Sequence, residues 1–242
     1  MSDCKNTQLD ISLLEPKRKP NKKLLQCFNE ETAKYEIGID EAGRGPLFGR
    51  VYSAAVILPK DNSFRHDLMK DSKTFTNWEK LKLTEQYIKE NAISYAVSYA
   101  NENIIDKINI LQATFLTMHE CVSKIITNID ANESLILVDG GMFKNYIYPK
   151  DDGFVSIPHI CVKSGDNTYS SIAAASILAK VARDEYITDL CKENPLLDTY
   201  YGISSNKGYA AQKHREGITN NGISKWHRKS FGICKNYLDK IW

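Results

Sequence analysis

The stretch Ile37-Gly38-Ile39-Asp40-Glu41-Ala42-Gly43-Arg44-Gly45-Pro46-Leu47 constrains this chain more than any other. It is an apolar strand that runs straight into two adjacent carboxylates and a glycine-flanked arginine. Successive side chains of a strand point to opposite faces, so Asp40 and Glu41 are expected to share a pocket only if the backbone bends right after Asp40. Gly43 and Gly45 make such a bend easy. Glycine also lets a ligand approach the main-chain amides, while Arg44 adds a fixed positive fork. An acid pair taken alone is more often solvated surface charge, so the remainder of the chain has to decide.

Strand patterns recur at Tyr35–Asp40, Val51–Pro59 and Asn91–Tyr99. Between the second and third, Thr76-Asn77-Trp78-Glu79 has capping-box spacing and opens a predicted helix with Trp78, Leu81 and Ile88 on one side. From Asn109, the residues Ile110, Leu111, Phe115, Met118, Val122, Ile125, Ile126 and Ile129 keep helical spacing. The continuous apolar run Leu135–Val138, ending in Asp139, then reads as a buried parallel strand. A strand, a helical crossover and a parallel strand bring both strand ends to one edge of a sheet, and if this fourth strand lies beside the first, Asp139 faces Asp40. A fifth strand, His159–Val162, leads to Asp166, and the small-residue helix from Ser170 is built to press closely on the sheet. Past Pro195 the chain reads as helices and loops. The expected class is α/β, a central five-stranded mixed sheet flanked by helices with a C-terminal helical extension. The units are a basic N-terminal arm (1–33), a catalytic domain (34–194) and an extension (195–242) in the same compact body. Leu24, Leu25 and Phe28 are expected to tuck onto that body.

No apolar run approaches the ~20 residues that span a bilayer, and the N-terminal residues lack a secretory apolar block, so an intracellular, cytoplasmic protein is expected. The six cysteines stand apart with no zinc-ligand spacing and read as reduced and structural. From Ile203 to Trp242 eight Lys and Arg face Glu216 and Asp239, a local charge of +6, which leaves −4 on the rest of a chain of net charge +2. An acidic pocket with a basic surface suits a protein that tracks a phosphate backbone.

Asp40, Glu41, Asp139 and Asp166 end different strands yet can converge on one sheet edge. Crowded carboxylates repel unless cations neutralise them. Oxygen ligands without histidine or thiolate select Mg²⁺ or Mn²⁺, and two such ions ~3.5–4 Å apart clamp the attacking and leaving oxygens of a phosphodiester. Arg44 and the basic C-terminal part would hold flanking phosphates.

Together Gly38–Pro46, Asp71-Ser72-Lys73, Val138-Asp139-Gly140, Ala173–Asp184, Lys207-Gly208-Tyr209 and His227–Phe231 resemble ribonuclease HII, the type 2 ribonuclease H, in order from about Tyr35 to Phe231. The resemblance implies a ribonuclease H-like fold and endonucleolytic cleavage of RNA in RNA–DNA hybrids and at single ribonucleotides in duplex DNA. The cut falls 5′ of the ribonucleotide and leaves 3′-hydroxyl and 5′-phosphate ends. It also implies that Asp40, Glu41, Asp139 and Asp166 are the catalytic, metal-binding acids for two Mg²⁺ or Mn²⁺ ions. Gly43, Arg44 and Gly45 would then read the ribose 2′-hydroxyl, and Tyr209 would stack on the sugar beside the RNA-to-DNA junction. Lys207, Lys180, Ser72 and Lys73 complete the expected substrate-binding set, with Thr74 and Arg183 as further candidates near the nucleic acid. The pattern departs at one point: the family's Lys-Gly-Asp is Lys163-Ser164-Gly165-Asp166 here, which displaces the lysine. Asp184 competes as fourth ligand but reads as an ion-pair partner beside Arg183. The lone His214 and His227 read as neither catalytic nor metal-bound. A monomer acting on hybrid and ribonucleotide-containing DNA is expected. The rival readings are a silent nucleic-acid binder, which four intact acids argue against, and another nuclease of the same fold, such as a resolvase or a type 3 ribonuclease H.

Overall fold

The computed structural model describes residues 23–150 and 153–242. Its main elements, in chain order, are β1 (Tyr35–Ala42), β2 (Val51–Ile57), α1 (Trp78–Asn91), β3 (Ser94–Ala100), α2 (Glu102–Ile126), β4 (Ser134–Asp139), β5 (Ile147–Lys150), β6 (Gly153–Ser156), β7 (His159–Val162), α3 (Ser170–Glu193), α4 (Leu196–Tyr201), α5 (Ile203–Asn206) and α6 (Gln212–Asn221). The five-stranded sheet has the order β3-β2-β1-β4-β7, antiparallel in its first three strands and parallel from β1 to β7. This is the mixed sheet expected, with β1 and β4 adjacent and parallel. The β5–β6 hairpin is an addition that the sequence reading missed, because four-residue strands with little burial leave hardly any periodic signal.

Alternation along β1 and its neighbours divides the core. Ile37, Ile39, Ala55, Ile57, Ile136 and Val138 meet α2 on one face, while Ala54 and Val56 meet α1 and α3 on the other. Gly38 faces α3, where a Cβ would overlap the backbone of Ser171 and Ile172. Ala173, Ala174, Ala175 and Ala179 of α3 are fully buried in the cluster that includes Ala54 and Val56 of the sheet, as their small size predicts.

Four local expectations are corrected. β1 runs on to Ala42, so the bend comes at Gly43 and not after Asp40. Helix α1 is capped by Asn77, whose side chain accepts from Lys80 N, rather than by Thr76; Trp78, just inside the cap, is 44% exposed. Helix α2 begins at Glu102, and Asn109 (φ 65°) is a break within it, its side chain accepting from Gln112 N to restart the long segment. Leu24 packs on the core, but Leu25 and Phe28 keep exposed side chains while Leu25 bridges to Tyr169 through the backbone. Residues 1–22 of the expected arm, with Cys4, lie outside the described residues; the other five cysteines are free thiols. Among the described residues no helix is long and apolar enough to cross a membrane.

Helices α4 to α6 and the C-terminal loops bury Leu197, Tyr201, Ile203, Ile218 and Ile223 against Ile187 and Leu190 of α3 and against Leu47 and Phe48. The extension thus grips the loop that follows β1.

Candidate active site

β4 pairs with β1 only as far as Val138 opposite Ile39, so Asp40–Ala42 and Asp139 stand together at the open rim of the parallel half of the sheet. There Asp40, Glu41 and Asp139 border a cleft of about 280 Å³. Asp166 sits buried in a short 3₁₀ turn (Gly165–Asn167) after β7; it does not line the cleft itself, but its carboxylate lies 3.6 Å from Nζ of the cleft residue Lys73. Asp139 Oδ1 accepts from Gly165 N at 2.6 Å, and a Cβ on Gly165 would press on Ile172. The extra Ser164 is absorbed in a left-handed conformation (φ 52°). Asp184, on α3, does border the cleft and is paired with Lys180 Nζ at 2.7 Å, not with Arg183.

Glu41, Asp166 and Asp184 each have one cation within ion-pair distance, whereas among the described residues Asp40 and Asp139 have no ion-pair partner. Burial, then the charges of Glu41 and Asp139, hold the Asp40 carboxyl well above the usual carboxylate range. Burial also raises Glu41, although Arg44, 3.2 Å away, pulls it back. Burial, Asp139 and Asp71 raise Asp166 against the opposing charge of Lys73, whose Nζ lies 3.6 Å away. Among the described residues no three His, Cys, Asp or Glu side chains are already arranged to hold a metal ion. The donor set around the cleft is nonetheless oxygen-only and mutually repelling, which fits a hard divalent cation.

The second part of the lining is Gly43, Arg44 and Gly45, which open the loop Gly43–Arg50. Arg228, fully buried, donates from Nη2 to Gly43 O (2.6 Å), from Nη1 to Arg44 O (3.0 Å) and Pro46 O (2.8 Å), and from Nε to Gly49 O (2.8 Å). Arg183 donates to Phe48 O, Arg50 O and Lys207 O, the last at 2.9 Å. Burial, then Arg183, pulls the Arg228 guanidinium down to about 9, still protonated at neutral pH. In a trans peptide the C=O and N–H point opposite ways, so drawing in the carbonyls of Gly43 and Arg44 turns the amides of Arg44 and Gly45 away from Arg228. Gly43 (φ 92°) has no room for a side chain, since a Cβ would run into Arg183.

Of the substrate-binding candidates, Gly43, Arg44, Gly45, Ser72, Lys73, Lys180, Lys207 and Tyr209 all border the cleft. Tyr209 is half exposed, its ring in ordinary contact range of a Cβ on Gly45. Ser72 is buried and committed to Ser176 at 2.9 Å, and Ser176 in turn hydrogen-bonds Asp40. Its hydroxyl supports an acid rather than standing free, and Thr74 Oγ1 is spent on Asp71 O. Arg183 borders the cleft, but its guanidinium holds backbone carbonyls, and Arg228, within the basic C-terminal part expected to hold phosphates, does the same. The sequence reading also missed Asp106, whose carboxylate accepts from the amides of Lys229 and Ser230 at 2.9 Å and so braces the segment carrying Arg228. An Asp or Arg among other charged residues carries no signal of burial; only the long-range contact reveals it.

Three comparisons with known proteins bear on this arrangement. A family model described as Ribonuclease HII matches residues 37–234. The protein named Ribonuclease HII from Bacteroides fragilis is 44% identical over 210 residues, covering 87% of this chain and 94% of its own. Among solved structures, the ribonuclease H2 of Pyrococcus horikoshii OT3 superposes with a TM-score of 0.64 at 20% identity, covering 85% of this chain and 97% of its own. Bst-RNase HIII, solved in complex with Mn²⁺, superposes with a TM-score of 0.61 at 19% identity, covering 87% of this chain and 71% of its own. At those identities the two structures speak for the fold.

Proposed function

The chain belongs to the ribonuclease HII family of hydrolytic endonucleases acting on nucleic acid, and from that premise we propose that it cuts RNA in RNA–DNA hybrids and single ribonucleotides embedded in duplex DNA. Cleavage falls 5′ of the ribonucleotide and leaves 3′-hydroxyl and 5′-phosphate ends. The observation that carries this reading is one cleft lined by two unlike sets of groups: the acids Asp40, Glu41 and Asp139, and the loop Gly43-Arg44-Gly45 with Tyr209.

Asp40, Glu41, Asp139 and Asp166 are the residues that would hold two Mg²⁺ or Mn²⁺ ions, and the Mn²⁺ complex of the fold neighbour Bst-RNase HIII supports that choice. Bound there, paired ions supply Lewis acidity to the phosphodiester and lower the pKa of water. The chain's own groups do the rest. The amides turned out by Arg228 bind the ribose 2′-hydroxyl, which marks RNA. Arg44 is the nearest cation for a flanking phosphate. Tyr209 stacks on the neighbouring sugar, with Lys73, Lys180 and Lys207 along the nucleic acid. Asp184 is a second candidate for the fourth acid because it borders the cleft where Asp166 does not. We read residues 34–194 as the catalytic unit and 195–242 as its substrate-binding extension, in a monomeric cytoplasmic enzyme.

The test is a labelled duplex carrying one ribonucleotide, incubated with Mg²⁺ or Mn²⁺. A nick 5′ of the ribonucleotide with a 3′-hydroxyl end is expected; cutting of an all-DNA junction instead would overturn the reading. Calorimetric Mn²⁺ titration of Asp166→Asn and Asp184→Asn decides the fourth acid: the true ligand's variant binds fewer ions or binds them more weakly.

A further inference from the structure

We propose that His214 and His227 form a buried, directional hydrogen-bond relay that positions Tyr209, and through it the preference for the sugar beside the scissile ribonucleotide. The inference rests on Tyr209 being the stacking residue of the proposed function.

The direction follows from the two ends. Ser224 N, 2.9 Å from His227 Nδ1, can only donate, so that nitrogen is the acceptor and the ring proton of His227 sits on Nε2. His227 Nε2 lies 3.0 Å from His214 Nε2, which must therefore accept. The proton of His214 is left on Nδ1, and it donates to Tyr209 O at 2.8 Å. Backbone groups thus dictate the tautomer of both rings, and only the doubly neutral pair satisfies every nitrogen. Both rings and Ser224 are sealed from water, with Phe48 5.1 Å and Tyr201 4.7 Å from the His227 ring. Burial draws both imidazoles below their ordinary range, His227 to about 3, so the neutral state is the resting one.

What the relay holds is an unusual turn. Lys207 and Gly208 both have left-handed backbones, φ 52° and 83°. Three successive carbonyls are then held from three different parts of the fold: Lys207 O by Arg183 of α3, Gly208 O by Leu47 N, and Tyr209 O by His214 of α6. The Tyr209 side chain is half exposed at the cleft, so its direction depends on how its own peptide is held. His214 supplies the side-chain share of that hold, alongside Ala211 N at 2.8 Å. Both histidines are positioning residues.

The experiment measures kcat/KM with Mn²⁺ on two substrates, a duplex with one embedded ribonucleotide and a long RNA–DNA hybrid, and reads their ratio. His214→Leu should lower the ratio about fivefold, the worth of one ordinary hydrogen bond. His214→Asn, whose amide can replace the Nδ1 donor, and His227→Gln, whose amide can replace the Nε2 donor, should restore most of it. In a Tyr209→Ala background His214→Leu should have no further effect on the ratio, because the effect runs through that ring. A ratio unmoved by His214→Leu while Tyr209→Ala moves it would overturn the relay alone. So would an equal drop in the Tyr209→Ala background, the mark of general loosening. Tyr209→Ala leaving the ratio unmoved would overturn the stacking role and the relay with it.

Discussion

The two walls of the cleft are built on opposite principles. On the acid wall, Asp40 and Glu41, and beyond the cleft lining Asp166, sit buried or nearly so, with carboxyls raised by burial and by neighbouring acids, Asp139 among them each time. On the loop wall, Arg183 and Arg228 between them satisfy the carbonyls of Gly43, Arg44, Pro46, Phe48, Gly49, Arg50 and Lys207. The first wall stores unfavourable charge that a cation would relieve; the second is held in place from many sides before any ligand arrives. Chemistry at a charged centre needs the former, whereas telling ribose from deoxyribose by backbone position needs the latter.

That contrast breaks most sharply at Asp40. Asp40→Asn should lower cleavage roughly a thousandfold or more, the scale of several kcal/mol of transition-state stabilisation, while duplex binding in a gel-shift assay stays near wild type. Parallel loss of binding and cleavage would show that the acid serves the nucleic acid instead. The same variant should melt at a higher temperature in cation-free buffer, since it removes an ionised carboxylate that burial disfavours. The loop wall should respond in the opposite sense. Arg228→Met leaves four carbonyls, three of them buried, without this donor and should cost about 3–5 kcal/mol in urea unfolding; a loss below about 1 kcal/mol would show the clamp to be dispensable. Gly43→Ala forces a Cβ against Arg183 at a positive φ and should cost about 1–3 kcal/mol, with a larger fractional loss of ribonucleotide cleavage than of duplex binding.

The smallest effect sharpens the acid side. Raised folded-state carboxyls contribute stability that is complete below their ordinary range and is lost as pH rises through their elevated values. Cation-free protein should therefore melt at progressively lower temperature from mildly acidic toward neutral pH on account of these groups. Added Mn²⁺ should flatten that slope in wild type but less in Asp40→Asn. Equal slopes with and without Mn²⁺ would mean the cation does not relieve these acids.

Much of the acid wall was legible without coordinates. Ile37–Asp40 and Leu135–Asp139 announce buried strands because both faces must be apolar, and the helical crossover before the second gives it the direction that carries Asp139 to the same sheet edge as Asp40; that the two strands are neighbours came from the structure. The bend was misplaced because paired strands tolerate acids at their ends: Glu41 and Ala42 still pair with Ser53 and Tyr52. The relative places of Asp166 and Asp184 were not legible, since both are acids of suitable spacing and only packing leaves the first out of the cleft lining and brings the second into it. His214 and His227 looked solitary because they lie 13 residues apart on different elements.

Hydrophobic periodicity, the strands themselves and the gathering of acids at strand ends were thus determined by the amino-acid sequence, because each depends on short-range pattern and on the burial it demands. The placement of the loop wall was decided by tertiary structure alone. Arg228 meets carbonyls 179 to 185 residues away along the chain, and a backbone carbonyl is the same in every residue, so no sequence pattern can say which of them a buried guanidinium will hold.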